Sequence, residues 1–525
     1  MTESQVDVLV AGAGPVGVLA AWQLAQWGVS VRLVDAAHGP ATTSRALATH
    51  ARSLEIYDQL GMLSDIAPHG TRVNGFIRHQ GDRATRADYD FGNLVTRFPY
   101  MFNIDQTITE RVLRGHAASA GIEVEWNTRL ESFQQDDEGV TVMLRRSGED
   151  AALETVRVRY LWGCDGGHST VRKLLQLPLK GESTATWLTA DAIVHTDLER
   201  DALHSLSSPS GALMMFPFPD PGKWRLLDTS GEGELEQPEQ IARQFSAKLS
   251  QALGRETVVD PPTWTAKFTI QQRAVPAMHV GRGFVSGDAA HVHSPAGGQG
   301  LNTGIQDAYN LAWKLAMVVK GQADAGLLDS YDAERVPVGQ TLLASTGAVT
   351  NSAMASTIPR DAQNSDRSFI RQLIWNASGL SIAYVDSPLT VLQDEPGKGP
   401  RPGGRLTQIS AADAHSPGWI ALRALLRTSA WHLLVFVGRA QPVVHEQVSA
   451  DTMSLPAWVD TVTISWRRLD ADDHGVWDSD GRVQETLAAN DGDWILVRPD
   501  GYLSARGNGN ARLREALDRL TSLHV

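Results

Sequence analysis

The chain has 525 residues, of which 42% are hydrophobic and 20% charged, and 47 Lys and Arg stand against 60 Asp and Glu for a net charge of -13. This composition fits a soluble globular protein of several domains, and an acidic balance without a basic run argues against nucleic acid and membrane as partners. The single cysteine, Cys164, rules out an internal disulfide and any thiolate metal site, so the expectation is a cytoplasmic protein without a metal.

At the start, Glu3 and Asp7 occupy positions where a signal peptide would carry Lys or Arg. Val6 to Val10 is almost wholly aliphatic, as in a strand buried on both faces. Gly12-Ala13-Gly14-Pro15-Val16-Gly17 follows, then a helix from Pro15 to Trp27 that stops at Gly28, then a strand from Val29 to Val34 ending on Asp35. The order strand, GxGxxG, helix, strand, acid has a mechanism. Gly12 makes the tight turn, Gly14 admits a pyrophosphate, Gly17 lets helix and strand pack, and Asp35 accepts from a ribose hydroxyl. The fingerprint predicts dinucleotide binding.

Arg45, within Thr43-Ser44-Arg45-Ala46, is either a solvated loop charge or a group reaching that pyrophosphate, and a helix is expected over Thr49 to Leu60. Residues 73–100 change character: Phe76, Tyr89, Phe91, Phe98 and Tyr100 lie in short strand-like pieces outside any βαβ unit. Asn103-Ile104-Asp105-Gln106 leads into a helix ending by Gly121. Strands over Ile122 to Trp126, Leu130 to Gln134, Val140 to Arg145 and Val156 to Trp162 then run into Gly163-Cys164-Asp165-Gly166. Cys164 reads as a small core residue. His168-Ser169 has neither a third partner nor a GxSxG elbow, so no nucleophile is assigned there. Residues 180–275 carry strands at Leu188 to Ile193, Ala212 to Pro217, Trp224 to Asp228 and Trp264 to Gln271, with a helix near Pro238 to Leu253. A mostly antiparallel sheet fits, forming one wall of a pocket lined by Met215, Phe216 and Trp224.

The most informative stretch is Gly287 to Gly304, GDAAHVHSPAGGQGLNTG. A short strand enters it, and Leu301, Ile305, Ala308, Leu311, Ala312 and Leu315 leave it at helical spacing. Gly297, Gly298 and Gly300 allow close backbone approach just where the helix begins and its dipole is positive. Such a loop suits a cofactor with hydroxyls and a developing negative charge, as in a reduced flavin. A long helix is expected from Glu334 to about Ser356. Residues 387–404 are rich in Pro and Gly and read as a linker, and a small α/β domain follows.

Gly12–Gly17 with Asp35, Asp165-Gly166, and Gly287-Asp288 with its glycine loop together resemble the class A flavoprotein aromatic hydroxylases, the p-hydroxybenzoate hydroxylase family. The likeness is nearest to the branch that oxidises phenols and polyketides. The tail, through Leu496-Val497-Arg498-Pro499-Asp500-Gly501-Tyr502, resembles that branch's thioredoxin-like domain, but has no cysteine. A structural or dimer-contact role is left to it, and a homodimer stays open. Ala383 and Ser504-Ala505 depart from the branch pattern, where an arginine precedes the tyrosine and Ala-Trp is usual.

The resemblance implies an α/β architecture. A Rossmann-like FAD-binding domain would take residues 1–72, 101–179 and 276–386. An antiparallel-sheet substrate domain would take 73–100 and 180–275, and a thioredoxin-like domain 405–525. It also implies that Gly12, Gly14, Pro15, Val16 and Gly17 bind the FAD pyrophosphate and Asp35 the ribose. Arg45 and Gln106 would contact the phosphate or ribityl chain, Asp165 both FAD and the nicotinamide cofactor, and Asp288 the ribityl or phosphate region. Gly298, Gly300, Leu301 and Asn302 would offer backbone groups to the flavin, and Pro295 would sit beside the substrate. The implied reaction is hydroxylation of a small aromatic substrate by O2 through a flavin hydroperoxide, driven by NADPH or NADH. Baeyer–Villiger insertion is the alternative on the same fold, and a redox-silent flavin or ligand carrier the distant one. No acid or base is identified; His291 and His293 read as structural.

Overall fold

The computed structural model describes residues 6–522 except 45, 82, 90–94, 148–152, 209–210, 232–236, 294–296, 355–370, 373, 393–398, 439–454 and 471–473. Val6–Ala11 is the centre of a parallel core, pairing with Leu153–Gly163 on one side and Val31–Val34 on the other. Gly283–Val285 and Val124–Glu125 extend it outward, again in parallel. Val8, Leu9 and Val10 are wholly excluded from solvent, which explains why this strand cannot alternate polar and apolar residues. The hairpin Thr128–Gln135 and Val140–Arg146 adds antiparallel pairing at Leu153–Gly163. Helix Pro15–Gln26 follows the glycine turn and packs on helix Gln299–Val319, which is buried along nearly its whole length.

The second sheet is built on the long strand Lys180–His195, flanked antiparallel by Lys223–Asp228 and Trp264–Ala274. Gly211–Pro217, Ala202–Ser208, Gly75–Gln80 and Arg83–Asp88 complete it on one side. One pairing is parallel, Ala202–Ser208 against Gly75–Gln80, because these strands come from distant parts of the chain rather than a hairpin. Helix Pro238–Leu253 covers the outer face, where Met215, Trp224 and Leu226 meet Ile241, Phe245 and Leu249. Ala48–Thr49, Met101–Asn103 and Thr71–Val73 form a small third sheet that alternation in the sequence did not reveal.

The C-terminal sheet is mixed. Trp431–Val437 lies parallel to Val459–Ser465 and antiparallel to Asp493–Val497. Its alternation serves two cores: Leu434, Phe436 and Ile464 face Trp419 and Leu422, while Trp431, Leu433 and Val435 join the main core. The expected linker is not an open tether, since Leu389, Val391 and Leu392 are buried and Val391 N donates to Ser504 O at 3.1 Å. The apolar side chains among its prolines and glycines draw it down; residues 393–398 lie outside the described set. A buried ion cluster clamps the region: Glu334 binds Lys314 at 2.7 Å and Arg498 at 2.5 Å, and Arg498 also binds Asp500. Burial alone would raise the Glu334 pKa, but the Arg498 and Lys314 cations outweigh it and hold the group ionised. Among the described residues no helix is long and apolar enough to cross a membrane.

Candidate active site

A cavity of about 710 Å3 opens where three parallel strands end. Gly14 follows Val6–Ala11, Cys164 and Gly166 follow Leu153–Gly163, and Ser286 and Asp288 follow Gly283–Val285, all on its wall. The carboxyl ends of parallel strands are where an open α/β sheet leaves a crevice. The antiparallel sheet closes the other side.

The first wall is largely backbone. Gly14 is the N-cap of helix Pro15–Gln26, and Gly14, Pro15 and Val16 line the cavity. A Cβ on Gly14 would meet nothing within 4 Å, so the glycine leaves open the space that a phosphate would take. Gly12 and Gly17 act behind it: a Cβ on Gly17 would collide with Gly12 O, and one on Gly12 with Cys164 O. Asp35 accepts from Ala13 N at 2.6 Å and Ala37 N at 2.8 Å, so part of its carboxylate shapes the glycine turn. Gly298 caps the second helix at φ +60, where a Cβ would lie 2.7 Å from that of Ala48. Gly298, Gly300 and Leu301 line the cavity, so two helix N-termini face one space and favour anionic groups there.

Asn302 does not line this cavity but pins the loop from behind. Its Nδ2 donates to Ala48 O at 2.9 Å and Gly298 O at 2.6 Å, and its Oδ1 accepts from His50 N at 2.8 Å. His50 Nε2 donates to Gly297 O at 2.8 Å, and burial lowers the ring's pKa to about 4, so the imidazole stays neutral. Gln106 lies on the wall, its Oε1 accepting from Ala46 N and its Nε2 donating to Glu110, both at 2.8 Å.

Asp165 also has a structural task. It accepts from Thr170 N at 2.6 Å, Val171 N at 3.2 Å and the Ser169 hydroxyl. The carboxylate caps a short helix, since those N–H groups have no partner within it, and Cys164 and Gly166 form the cavity surface instead. Cys164 is therefore wall as well as core. Arg45 and Pro295 lie outside the described residues.

The second wall is side chains. Trp264, Ala266, Phe268 and Ile270, alternate residues of one strand, line it together with Thr269 and Gln271 of that strand and with Phe216, Leu227 and Thr189. Met215 and Trp224, expected beside Phe216, point the other way into the core beneath helix Pro238–Leu253. Period-two alternation forces this: Met215 neighbours Phe216, and Trp224 neighbours the wall residue Arg225. Arg225 was not anticipated. It pairs with Asp191 through Nε and Nη2, both at 2.8 Å, donates to Ser44 O at 2.8 Å, and stacks 5.0 Å from the Trp264 ring. Ser286, His293 and Gln299 also line the cavity. The alternation in 264–270 was a readable signal for the apolar face; no local pattern announces the Arg225–Asp191 pair.

These residues fit FAD. Two capped helix starts and the open cradle at Gly14 suit a pyrophosphate, and the buried Gln299 Oε1 on the wall accepts from no described residue, leaving it for a ligand donor. Among the described residues no group of three or more His, Cys, Asp or Glu is placed to hold a metal ion.

Comparison with known proteins agrees with this geometry. The FAD binding domain family matches residues 5–346. The chain is 41% identical to 6-methylpretetramide 4-monooxygenase of Streptomyces rimosus, covering 99% of this chain and 94% of that protein. It is 31% identical to pentachlorophenol 4-monooxygenase of Sphingobium chlorophenolicum, covering 95% and 93%. Among solved structures, the anhydrotetracycline hydroxylase OxyS from Streptomyces rimosus superposes with a TM-score of 0.73 at 27% identity, over 98% of both chains. A cavity fitted to FAD and relatives matched along nearly their full length lead to one assignment: the chain belongs to the FAD-dependent aromatic monooxygenases.

Proposed function

We propose that this enzyme hydroxylates a fused-ring phenolic polyketide, consuming NADPH or NADH and O2. The observation that carries the reading is the continuity of the cavity, which joins a helix-capped backbone wall to an apolar wall of Trp264, Phe268, Ile270 and Phe216. A flat aromatic substrate gains from stacking on such a surface, and the apolar lining excludes water from the reacting ring. The near full-length likeness to 6-methylpretetramide 4-monooxygenase supports a polycyclic substrate over a single ring.

FAD, when bound and reduced, supplies activated oxygen for transfer to the ring. The chain's own residues bind and orient. Gly12, Gly14 and Gly17 shape the turn that would receive the pyrophosphate, Asp35 would hold the ribose, and Gln106 and Asp288, both on the cavity wall, would hold the ribityl chain. The amides of Gly298 to Leu301, at a positive helix end, would hold the flavin's pyrimidine edge. Phe216 and the 264–270 strand position the substrate, and Arg225 offers the wall's buried cation to a phenolic oxygen. Residues 405–525 serve as a structural module and homodimer contact, and the protein works in the cytoplasm.

The test is direct. Purified protein should be yellow, and polycyclic phenols should stimulate its NAD(P)H oxidation, with one oxygen from labelled O2 appearing as a new ring hydroxyl by NMR. A product with oxygen inserted into the ring skeleton, or no stimulation by any fused-ring phenol, would overturn it.

A further inference from the structure

The mechanism leaves unused a buried polar chain behind the cofactor wall. Gly287, the residue before Asp288, adopts φ +60 and is wedged between Val16 and Gly304. Its N–H donates to Asp307 Oδ2 at 3.0 Å, and His291 Nε2 meets the same oxygen at 2.7 Å. The other oxygen accepts from Arg335 Nε at 2.8 Å. Arg335 continues outward: Nη2 donates to Thr303 O at 3.2 Å, and Nη1 donates to the Tyr384 hydroxyl at 3.0 Å. The Tyr384 ring packs on Tyr502, just before the C-terminal strand Leu503–Asn508, with centroids 4.4 Å apart, and the Arg498 guanidinium lies over both rings. Asp307 and Arg335 are fully buried.

From this we infer that Asp307 is a positioning residue for the Gly287–Asp288 turn, and that the C-terminal domain braces it against the flavin through Tyr502, Tyr384 and Arg335. The inference rests on reading Asp288 as cofactor-facing. The physics is that of a buried network in which both oxygens of Asp307 and the Nε, Nη1 and Nη2 of Arg335 are engaged. Each charged member is held in one geometry by the next, so a perturbation at the outer end is felt at the inner one. Gly287 has little freedom of its own, because Val16 and Gly304 fix its sides and Asp307 fixes its N–H. This gives a cysteine-free domain a task in cofactor chemistry that needs no thiol.

The experiment uses the full-length holoenzyme. Tyr384→Phe keeps the ring and removes the hydroxyl that receives Arg335; Tyr502→Leu removes the outer ring; Asp288→Ala tests the turn itself. Arg423→Gln, which breaks the C-terminal domain's pair with Asp58 away from the chain of contacts, controls for general loosening. FAD dissociation constants are measured well below the melting temperature, and the flavin midpoint potential and visible band at saturating FAD. Tyr384→Phe should weaken FAD by about tenfold, the factor that about 1.4 kcal/mol of lost hydrogen bonding to a charged group represents, and should shift the potential. Tyr502→Leu should move both in the same direction, and Arg423→Gln should move neither.

If Asp288→Ala weakens FAD while Tyr384→Phe or Tyr502→Leu leaves affinity and potential at parental values, the brace is refuted and the reading of the turn stands. If Asp288→Ala itself changes nothing, that reading fails and the brace with it. A drop in melting temperature without a change in potential would mark the chain of contacts as merely structural and also refute the proposal.

Discussion

Where the glycine-lined wall of the cavity presents backbone N–H groups at two helix starts, the wall opposite presents side chains from strands. The two respond to substitution by different physics. At the glycines of a backbone wall an added Cβ takes either packing space or ligand space, because there is no rotamer by which the atom can withdraw. A side-chain wall tolerates changes of shape, but register decides whether a residue belongs to the ligand or to the core. The first kind therefore protects a fixed cofactor, and the second can be retuned for a different substrate.

The sharpest way to break this contrast is on the backbone wall. Gly17→Ala would drive a Cβ into Gly12 O, so expression should yield no folded yellow protein, as read by circular dichroism and flavin absorbance. Gly14→Ala meets nothing within 4 Å, so the apoprotein should melt like its parent while FAD affinity falls by about tenfold or more in a fluorescence titration, a change of about 1.4 kcal/mol. Equal behaviour of the two variants would refute the separation between a packing glycine and a cradle glycine.

On the other wall, Asp191→Ala leaves the buried Arg225 without its carboxylate and should cost about 3–5 kcal/mol in urea unfolding. Met215→Ala should cost about 2–5 kcal/mol and leave KM for the aromatic substrate unchanged, because the side chain lies in the core under the helix. Phe216→Ala should raise KM, and a reversal of that pair would overturn the register.

The smallest effect lies outside both walls. His279 sits 3.4 Å from Asp329 and 3.2 Å from Asp332, and although burial lowers its pKa, the two carboxylates outweigh burial and raise it above the ordinary histidine value. A raised folded pKa means stability that is fully present below about pH 6.5, the unfolded value, and lost as pH climbs through the folded value. The melting-temperature difference between parent and His279→Gln should therefore be largest at pH 5.5 and vanish by pH 9; a constant difference would reject the ion pair as its cause.

The same contrast explains what was legible in the sequence. Gly12, Gly14, Gly298 and Gly300 stand out because a wall made of backbone needs a residue with no side chain, and that need leaves a mark at fixed spacing. Phe216 was found but could not be told from Met215, since neighbours on a strand differ only in which sheet face meets the cavity, and that depends on partners elsewhere in the chain. Asp165 has the spacing of a cofactor contact, and that spacing does not announce its bond to a helix end one short loop away. The ion cluster of Lys314, Glu334, Arg498 and Asp500 was invisible because its members, each ordinary in its own segment, meet only after folding.

The chain's sole thiol, on the cavity wall beside Gly166, provides a natural reporter. Burial, reinforced by the Asp165 and Asp307 charges, pushes the Cys164 pKa well up and keeps it protonated, which makes it a poor target for oxidants leaking from an uncoupled turnover. Alkylating agents small enough to enter should label it slowly in apoprotein and not at all once the space is filled, so mass spectrometry of one residue would count empty sites in any preparation.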